Sequence, residues 1–508
     1  MEQKVFVKTV NLTKTFGKVK ANEQVNFNVL KGEIHAVLGE NGAGKSTLMN
    51  MLSGLYKPDS GSIFIKDKEV NFNSPKDAIA KGLGMIHQHY KLVDVFSAKE
   101  NILIGKKGKF FLDKEKSFET IKNIADQYGL PIHPDKKVSD MSIGEKQSVE
   151  IIKVLYSGAD ILILDEPTAV LTPQETEKLF KIIRRMANNG CAIIIITHKL
   201  NEVMAVSDRV TILRKGQTID TVLTQLTTPK KLTDLMVGKS TNLSIQRPII
   251  ERGSEILKIS NLSVKNKDNV EVLKNLSFSM YQGEILGVAG IANSGQKELC
   301  ESIAGLYQVD SGEILYNGEN IVGHKPVDII KSGISMSFIP EDRLGMGLAA
   351  SMDMVNNYLI KEHHNQKGIF LKRKPIEKKC EKMIQSLDIQ TPGIHHPVKE
   401  LSGGNIQKVL IGREIDTHPS ILVTAYAVRG LDINSAHRIY DLLNEQKKNK
   451  VAILFTGEDL DILLELCDRI LVMCNGSITG IVKATETSKE DLGYMMTGNM
   501  EREGMFYV

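Results

Sequence analysis

No apolar stretch in this sequence approaches the roughly 20 residues that a membrane-spanning helix needs. The start, Met1-Glu2-Gln3-Lys4, lacks the pattern of a secretory signal, so a chain that stays in the cytosol is expected. Cysteine is scarce. Cys191, Cys300, Cys380, Cys467 and Cys474 form no CxxC pair and four of them stand in apolar surroundings, which favours reduced core thiols over a metal site. Charge of one sign is not in excess either: 65 Lys and Arg against 61 Asp and Glu leave +4 over 508 residues, which gives no reason to expect a nucleic-acid partner. What remains is ordinary globular composition, 42% hydrophobic and 25% charged, in a chain long enough for two or more domains.

Against that background one segment stands out. Gly39-Glu40-Asn41-Gly42-Ala43-Gly44-Lys45-Ser46-Thr47 is a complete phosphate-binding loop. Its glycines let backbone N–H groups converge on phosphate oxygens, Lys45 reaches the β and γ phosphates, and Ser46 offers a hydroxyl to Mg²⁺. The setting recurs 251 residues later as Gly290-Ile291-Ala292-Asn293-Ser294-Gly295-Gln296-Lys297, with Gln in place of the lysine and Lys in place of the hydroxyl. The same spacing carries Gly32-Glu33-Ile34 onto Gly283-Glu284-Ile285 and Gly54-Leu55-Tyr56 onto Gly305-Leu306-Tyr307. Further along the spacing is 260, as in Asp208-Arg209 and Asp468-Arg469, so nine extra residues fall between about 313 and 400. Each unit is a domain-sized piece of some 240 residues, hence a duplication and not a solenoid. The expected domains are 1–240 and 254–500, joined by a linker at 241–253 within the polar stretch Lys239 to Gly253.

In the first unit, Glu33 to Leu38 reads as a buried strand entering the loop, and Lys45 to Ser53 as the helix after it, which aims a helix N-terminus at the phosphates. Ile161 to Leu164 and Ala192 to Ile196 are further strand-length apolar runs separated by helical patterns, which predicts a mainly parallel sheet covered by helices. Alternation before Glu33 predicts antiparallel strands, and the region from about Tyr90 to Gly158 is largely helical. Asp165 and Glu166 close the run 161–164, so their carboxylates belong at the C-terminal edge of the sheet, where ligands gather. Asp165 can hold Mg²⁺ through water, and Glu166 can orient or deprotonate an attacking water. His198 is placed to meet the γ phosphate, and Gln88 to sense Mg²⁺ or the nucleophilic water. Singly, an Asp-Glu pair after a strand is a helix cap, and His198 and Gln88 are ordinary loop residues; the combination in this order is what points to NTP chemistry. Phe16 could stack on adenine or belong to the core.

The segments Leu401-Ser402-Gly403-Gly404-Asn405-Ile406-Gln407 and Met141-Ser142-Ile143-Gly144-Glu145-Lys146-Gln147 resemble the signature motif of ABC ATPases, and the resemblance covers nearly the whole chain. It implies an α/β fold: two tandem P-loop ABC ATPase domains, each a mainly parallel sheet core with an antiparallel β subdomain and a helical subdomain. It also implies head-to-tail pairing, with ATP and Mg²⁺ held between the loop of one unit and the signature of the other. One site would combine Gly39, Asn41, Gly42, Gly44, Lys45, Ser46, Thr47, Gln88, Asp165, Glu166 and His198 with Ser402, Gly403, Gly404 and Gln407, plus Asp432. The other would combine Gln296 and Lys297 with Ser142 and Gly144, but Ala425 and Tyr426 stand where the two carboxylates should be, Glu458 replaces the histidine, and Thr172 replaces the aspartate. Binding there is left open; hydrolysis is not expected.

Fused units with an intact first and a degenerate second half look like the ATP-binding subunits of bacterial importers for simple sugars and nucleosides. His87-Gln88-His89, the run from Ala169 to Glu175, Gly295-Gln296 and Ile339-Pro340-Glu341-Asp342-Arg343 lean toward nucleosides, with ribose- or galactose-type sugars as the alternative. The chain departs from the family at Tyr426-Ala427-Val428, where Gln-Pro-Thr is usual, and at Ser148, where a basic residue is usual. The resemblance implies a peripheral protein on the cytoplasmic face of the membrane, two transmembrane permease subunits as partners, and an extracellular solute-binding protein or lipoprotein acting through them. A soluble twin ATPase acting on ribosomes or nucleic acid is the rival, disfavoured by the single intact site and the short linker. A nucleotide sensor without turnover is opposed by the presence of both Glu166 and His198.

Overall fold

The computed structural model describes residues 4–17, 19–87, 90–104, 114–169, 171–238, 245–331, 335–363 and 371–498. By its contacts the chain divides into two compact units, Met1–Asn242 and Leu243–Val508.

In the first unit β1 (Val5–Phe16) and β2 (Val19–Leu30) form an antiparallel hairpin, extended on the β1 side by β4 (Ser60–Ile65) and β5 (Lys68–Val70). A second sheet has the order β10-β9-β3-β8-β7-β6, built from β3 (Ile34–Leu38), β6 (Leu83–Ile86), β7 (Ile161–Asp165), β8 (Ala192–Thr197), β9 (Arg209–Arg214) and β10 (Gln217–Leu223). All its pairings are parallel except the edge hairpin β9–β10. The run Ala192 to Ile196 is apolar without alternation because both faces of β8 are covered. Ile194 and Ile196 pack with Leu48, Met49 and Leu52 of the helix Lys45–Leu52; Ile193 and Ile195 pack on the opposite face with Ile102, Ile152 and Ile183 from the helical side. Burying each such side chain fully stabilises the fold by about 1.5–3 kcal/mol. Helices Ala98–Leu103, Lys114–Tyr128 and Ile143–Tyr156 account for the stretch that reads as helical.

The second unit repeats this plan. β11 (Glu255–Lys265), β12 (Glu271–Tyr281), β14 (Ser311–Tyr316) and β15 (Glu319–Asn320) form the antiparallel sheet. β13 (Ile285–Gly290), β16 (Met336–Ile339), β17 (Ile421–Ala425), β18 (Ala452–Thr456), β19 (Arg469–Cys474) and β20 (Ser477–Lys483) form the other, in the order β16-β17-β18-β13-β19-β20. Part of the polar stretch read as a linker is bound to this unit: Lys447 Nζ donates to the Pro248 carbonyl at 2.7 Å, Asn444 to that of Gln246 at 3.4 Å, and Arg247 to that of Cys467. The five cysteines are free thiols, four of them buried and Cys474 partly so.

Candidate functional site

Strand register decides which loops meet. β8 lies between β3 and β7, with Leu38 opposite Thr197 and Asp165 opposite Ile196, so the chain leaves all three strands at one edge. Gly39, His198 and Glu166 therefore emerge side by side although they are far apart in sequence.

The loop after β3 needs glycine at two points. A Cβ on Gly39 would stand 2.4 Å from the Leu213 carbonyl oxygen. Gly44 has φ +99°, and a Cβ there would lie 2.4 Å from the carbonyl oxygen of Ala21. Asn22, fully buried, donates to the Gly44 carbonyl at 3.2 Å and fixes the loop against β2; no motif signals it. The helix Lys45–Leu52 follows with no side-chain cap and no acidic residue in its first turn, which leaves its N-terminal N–H groups available to an anion. Lys45 is buried, and its Nζ donates to the carbonyls of Gly39 at 2.6 Å and Glu40 at 3.0 Å. Burial lowers its pKa, opposed by the charges of Glu166, Asp165 and Glu40. Asn41, Gly42 and Ser46 are exposed and Thr47 is half-buried.

Asp165 ends β7 and has its pKa raised by burial and by the neighbouring Glu166, with Lys45 opposing. Glu166 takes φ +46°, a left-handed conformation costing a side-chain-bearing residue about 1–2 kcal/mol. Its N–H donates to the Ile196 carbonyl at 2.9 Å, which holds that turn. His198 Nδ1 lies 2.9 Å from Glu166 Oε1. That contact, with the charges of His198, Lys45 and Lys199, holds the Glu166 carboxyl below its usual pKa against the opposing effect of burial. The arrangement presents a buried ammonium, two carboxylates and a partly exposed imidazole at the mouth of a helix N-terminus. Phe16 ends β1, 45% exposed as a residue, with its ring edge-on to that of Tyr56 at 5.4 Å, so it is no core residue. Gln88 lies outside the described residues.

In the second unit Ser402 caps the helix Gly403–Asp416, its hydroxyl accepting from the Asn405 N–H at 3.4 Å and the Asn405 side chain at 2.9 Å. A Cβ on Gly404 would meet Ser435 Oγ at 3.0 Å; Asp432 in turn accepts from that hydroxyl at 2.7 Å. Gln407 is buried, and its amide has no hydrogen-bond partner among the described residues, whereas Gln147 of the first unit donates to the Pro167 carbonyl at 2.9 Å.

The second loop keeps the backbone of the first but is neutral at the position of Lys45. Gly295 repeats φ +99°, and buried Gln296 donates to the Ile291 carbonyl at 3.1 Å, where Lys45 donates to that of Glu40. Lys297 is 3.8 Å from Glu301. Tyr426 follows β17 with φ +53°, its N–H donating to the Thr456 carbonyl at 3.2 Å, so it keeps the strained turn of Glu166 without the carboxylate. Beside it Arg429 pairs with Glu458 at 3.0 Å and with Glu341. Sequence reasoning missed Arg429 and the place of Glu341; counting two residues from the aligned ends of β6 and β16 makes Glu341 the counterpart of Gln88 in sequence.

A family model described as ABC transporter matches residues 22–169 and 273–424, once in each unit. The chain belongs to the ABC transporter family. Within it, the chain is 42% identical over 503 residues to the guanosine import ATP-binding protein NupO of Bacillus subtilis, covering 98% of both chains. It is 40% identical to the nucleoside import ATP-binding protein NupA of Lactococcus lactis, covering 98% of this chain and 99% of that one. The galactose/methyl galactoside import ATP-binding protein MglA of Fusobacterium nucleatum is 36% identical, covering 95% of this chain and 96% of the other.

Proposed function

We propose that this chain is the ATP-hydrolysing subunit that energises import of a nucleoside through a membrane permease, with one competent ATP site. The observation that carries this is the asymmetry between the units: Lys45, Asp165, Glu166 and His198 converge in the first, and none of these groups has a chemical equivalent in place in the second. The nucleoside assignment is supported by the names of the 42% and 40% identical relatives. Sugar import is the second reading, supported by the 36% identical galactose-type relative.

Lys45 and the N–H groups from Gly42 to Thr47 would hold the phosphates of ATP, with Phe16 against the base. The residues fit a magnesium ion. Asp165 and Glu166 are a part-buried pair of carboxylates beside Lys45, oxygen donors of the kind that ion takes, with room in its shell for phosphate oxygens. Ser46, Asp165 and Gln88 would hold it, and when bound it supplies charge stabilisation to the phosphates. Glu166 accepts the proton of the attacking water, His198 orients Glu166 and meets the γ phosphate, and Ser402, Gly403 and Gly404, seated above Gln407, would complete the site from the second unit as the family resemblance implies.

No helix among the described residues is long and apolar enough to cross a membrane. We infer a peripheral position on the cytoplasmic face, held by two permease subunits, with an external solute-binding protein acting through them. The test is reconstitution: phosphate release by the assembled complex should rise several-fold with nucleosides and stay flat with ribose or galactose. Stimulation by sugar alone would establish the second reading, and recovery of the chain on ribosomes in high salt would sink both.

A further inference from the structure

The second unit carries the charges of the phosphate face in the opposite places. In the first unit the cation, Lys45, sits on the loop, and the carboxylates, Asp165 and Glu166, sit at the end of the central strand. In the second the residue at the Lys45 position is neutral Gln296, Lys297 beside it lies 3.8 Å from Glu301, the strand ends in Ala425 and Tyr426, and a further cation, Arg429, stands three residues past that tyrosine. The carboxylates have moved to the flanking loops: Glu341 follows β16 and Glu458 follows β18, both paired with Arg429. Arg343 also donates to the Arg429 carbonyl, which ties the loop after β16 to the loop after β17 a second time. Tyr426 is part-buried under the guanidinium, 5.9 Å from ring centroid to Cζ. At the loop helix itself Glu298 stands in the first turn, where the first unit has no acid.

An incoming triphosphate would therefore meet Glu298, Glu341 and Glu458, with Lys297 already drawn to Glu301 and with neither a lysine at the Lys45 position nor the carboxylate pair that recruits a metal. Arg429 is already shared by two carboxylates. Half-exposed ion pairs are individually weak, so the cluster acts through sign and position more than through strength. It links three loops of the second unit through one side chain.

We propose that Glu341, Arg429 and Glu458 form an internal counter-charge cluster that takes the place of metal and phosphate in the second unit, so that the chain binds one Mg·ATP and the loops of its second half are held without nucleotide. This deepens the proposed function and rests on it for the identity of the nucleotide. It goes beyond loss of hydrolysis, because it denies the second loop a nucleotide and assigns a positioning residue to the gap.

Equilibrium dialysis of the full chain against labelled Mg·ATP tests it. The Glu166→Gln chain should bind one nucleotide, and Lys45→Ala should reduce binding at least 100-fold. In the Lys45→Ala background, adding Glu341→Gln and Glu458→Gln frees Arg429 and removes two repulsive charges; binding should return by at least tenfold and survive EDTA. Two nucleotides per Glu166→Gln chain, or one retained by Lys45→Ala, would overturn the proposal, as would no return of binding in the triple variant. Hydrogen exchange gives a second reading. Peptides spanning 336–348 and 452–460 should be unchanged by Mg·ATP in the unsubstituted chain and exchange several-fold faster in Arg429→Gln. Protection of those peptides by Mg·ATP in Lys45→Ala, or no effect of Arg429→Gln, would refute it. These readouts lie in the second unit, so they can fail while solute-stimulated hydrolysis succeeds, and the reverse.

Discussion

Glu166 and His198 form a pair whose two members have separable effects. The contact with His198 is the largest cause of the low Glu166 pKa, and Lys45 and Lys199 add to it. Because the folded value is depressed, this interaction stabilises the fold fully above the unfolded carboxyl pKa of about 4.3 and is lost as pH falls through the folded value. Removing the imidazole by His198→Ala should let the Glu166 pKa rise, so the acid limb of the pH profile of kcat/KM moves to higher pH. An unmoved limb would mean that another group sets it. Glu166→Gln should retain ATP binding and lower kcat by about 10²- to 10⁴-fold, read from phosphate release against dialysis. At the same scale, Ser148 bonds to the Gly144 carbonyl at 3.0 Å, so this departure from the usual basic residue is absorbed within its own helix.

Two elements repay attention for their backbone. The loop helix Lys45–Leu52 begins from a left-handed glycine with two neighbours inside contact distance, Ala21 O and Asn22 Nδ2 at 2.4 and 2.6 Å from any Cβ. Gly44→Ala should therefore destabilise the first unit by about 1–3 kcal/mol, visible in a urea titration, in addition to weakening nucleotide binding. The segment before β11 is pinned from the other side. Lys447 is fully buried and joins the Pro248 carbonyl to Asp468, whose other oxygen accepts from the Ile285 N–H at 2.9 Å. Lys447→Met keeps the volume but leaves both acceptors short of a donor, at a cost of about 1–3 kcal/mol. Faster hydrogen exchange around 246–250 should accompany it. The amphipathic pattern of the helix Ile433–Lys448 shows a charged last turn and gives no hint that one of its lysines points inward.

For the whole molecule, the proposed function assigns Ser402 of the second unit to the intact loop of the first, and so Ser142 to the degenerate loop. Removing a donor to developing charge typically costs on the order of 10²- to 10³-fold in rate. Ser402→Arg should therefore nearly eliminate hydrolysis in the assembled complex, while Ser142→Arg leaves a substantial fraction. Equal loss would mean that both sites or both interfaces are needed, and the reverse order would mean that the halves are paired the other way. Restoring the loop alone, by Gln296→Lys, should leave the rate unchanged because Ala425 and Tyr426 remain.

The duplication, the order of motifs and the identity of the damaged half were determined by the sequence itself. A phosphate loop is a local object: its glycines, lysine and hydroxyl are consecutive, and a strand with both faces covered announces itself as an unbroken apolar run. Where Asp165, Glu166 and His198 would stand could be read as well, because each follows such a run and parallel strands deliver their C-terminal ends to one edge. What fills the damaged half was decided only in three dimensions. Arg429 reaches Glu341 across 88 residues of chain, and the Pro248 carbonyl meets Lys447 across 199. Neither partner is marked by periodicity, since a lysine or glutamate reads the same in sequence whether it is solvated or paired. Tyr426 shows the same limit from the backbone: nothing in Ala425-Tyr426-Ala427 reveals a left-handed tyrosine, which is imposed by the hydrogen bond to Thr456 at the end of the neighbouring strand.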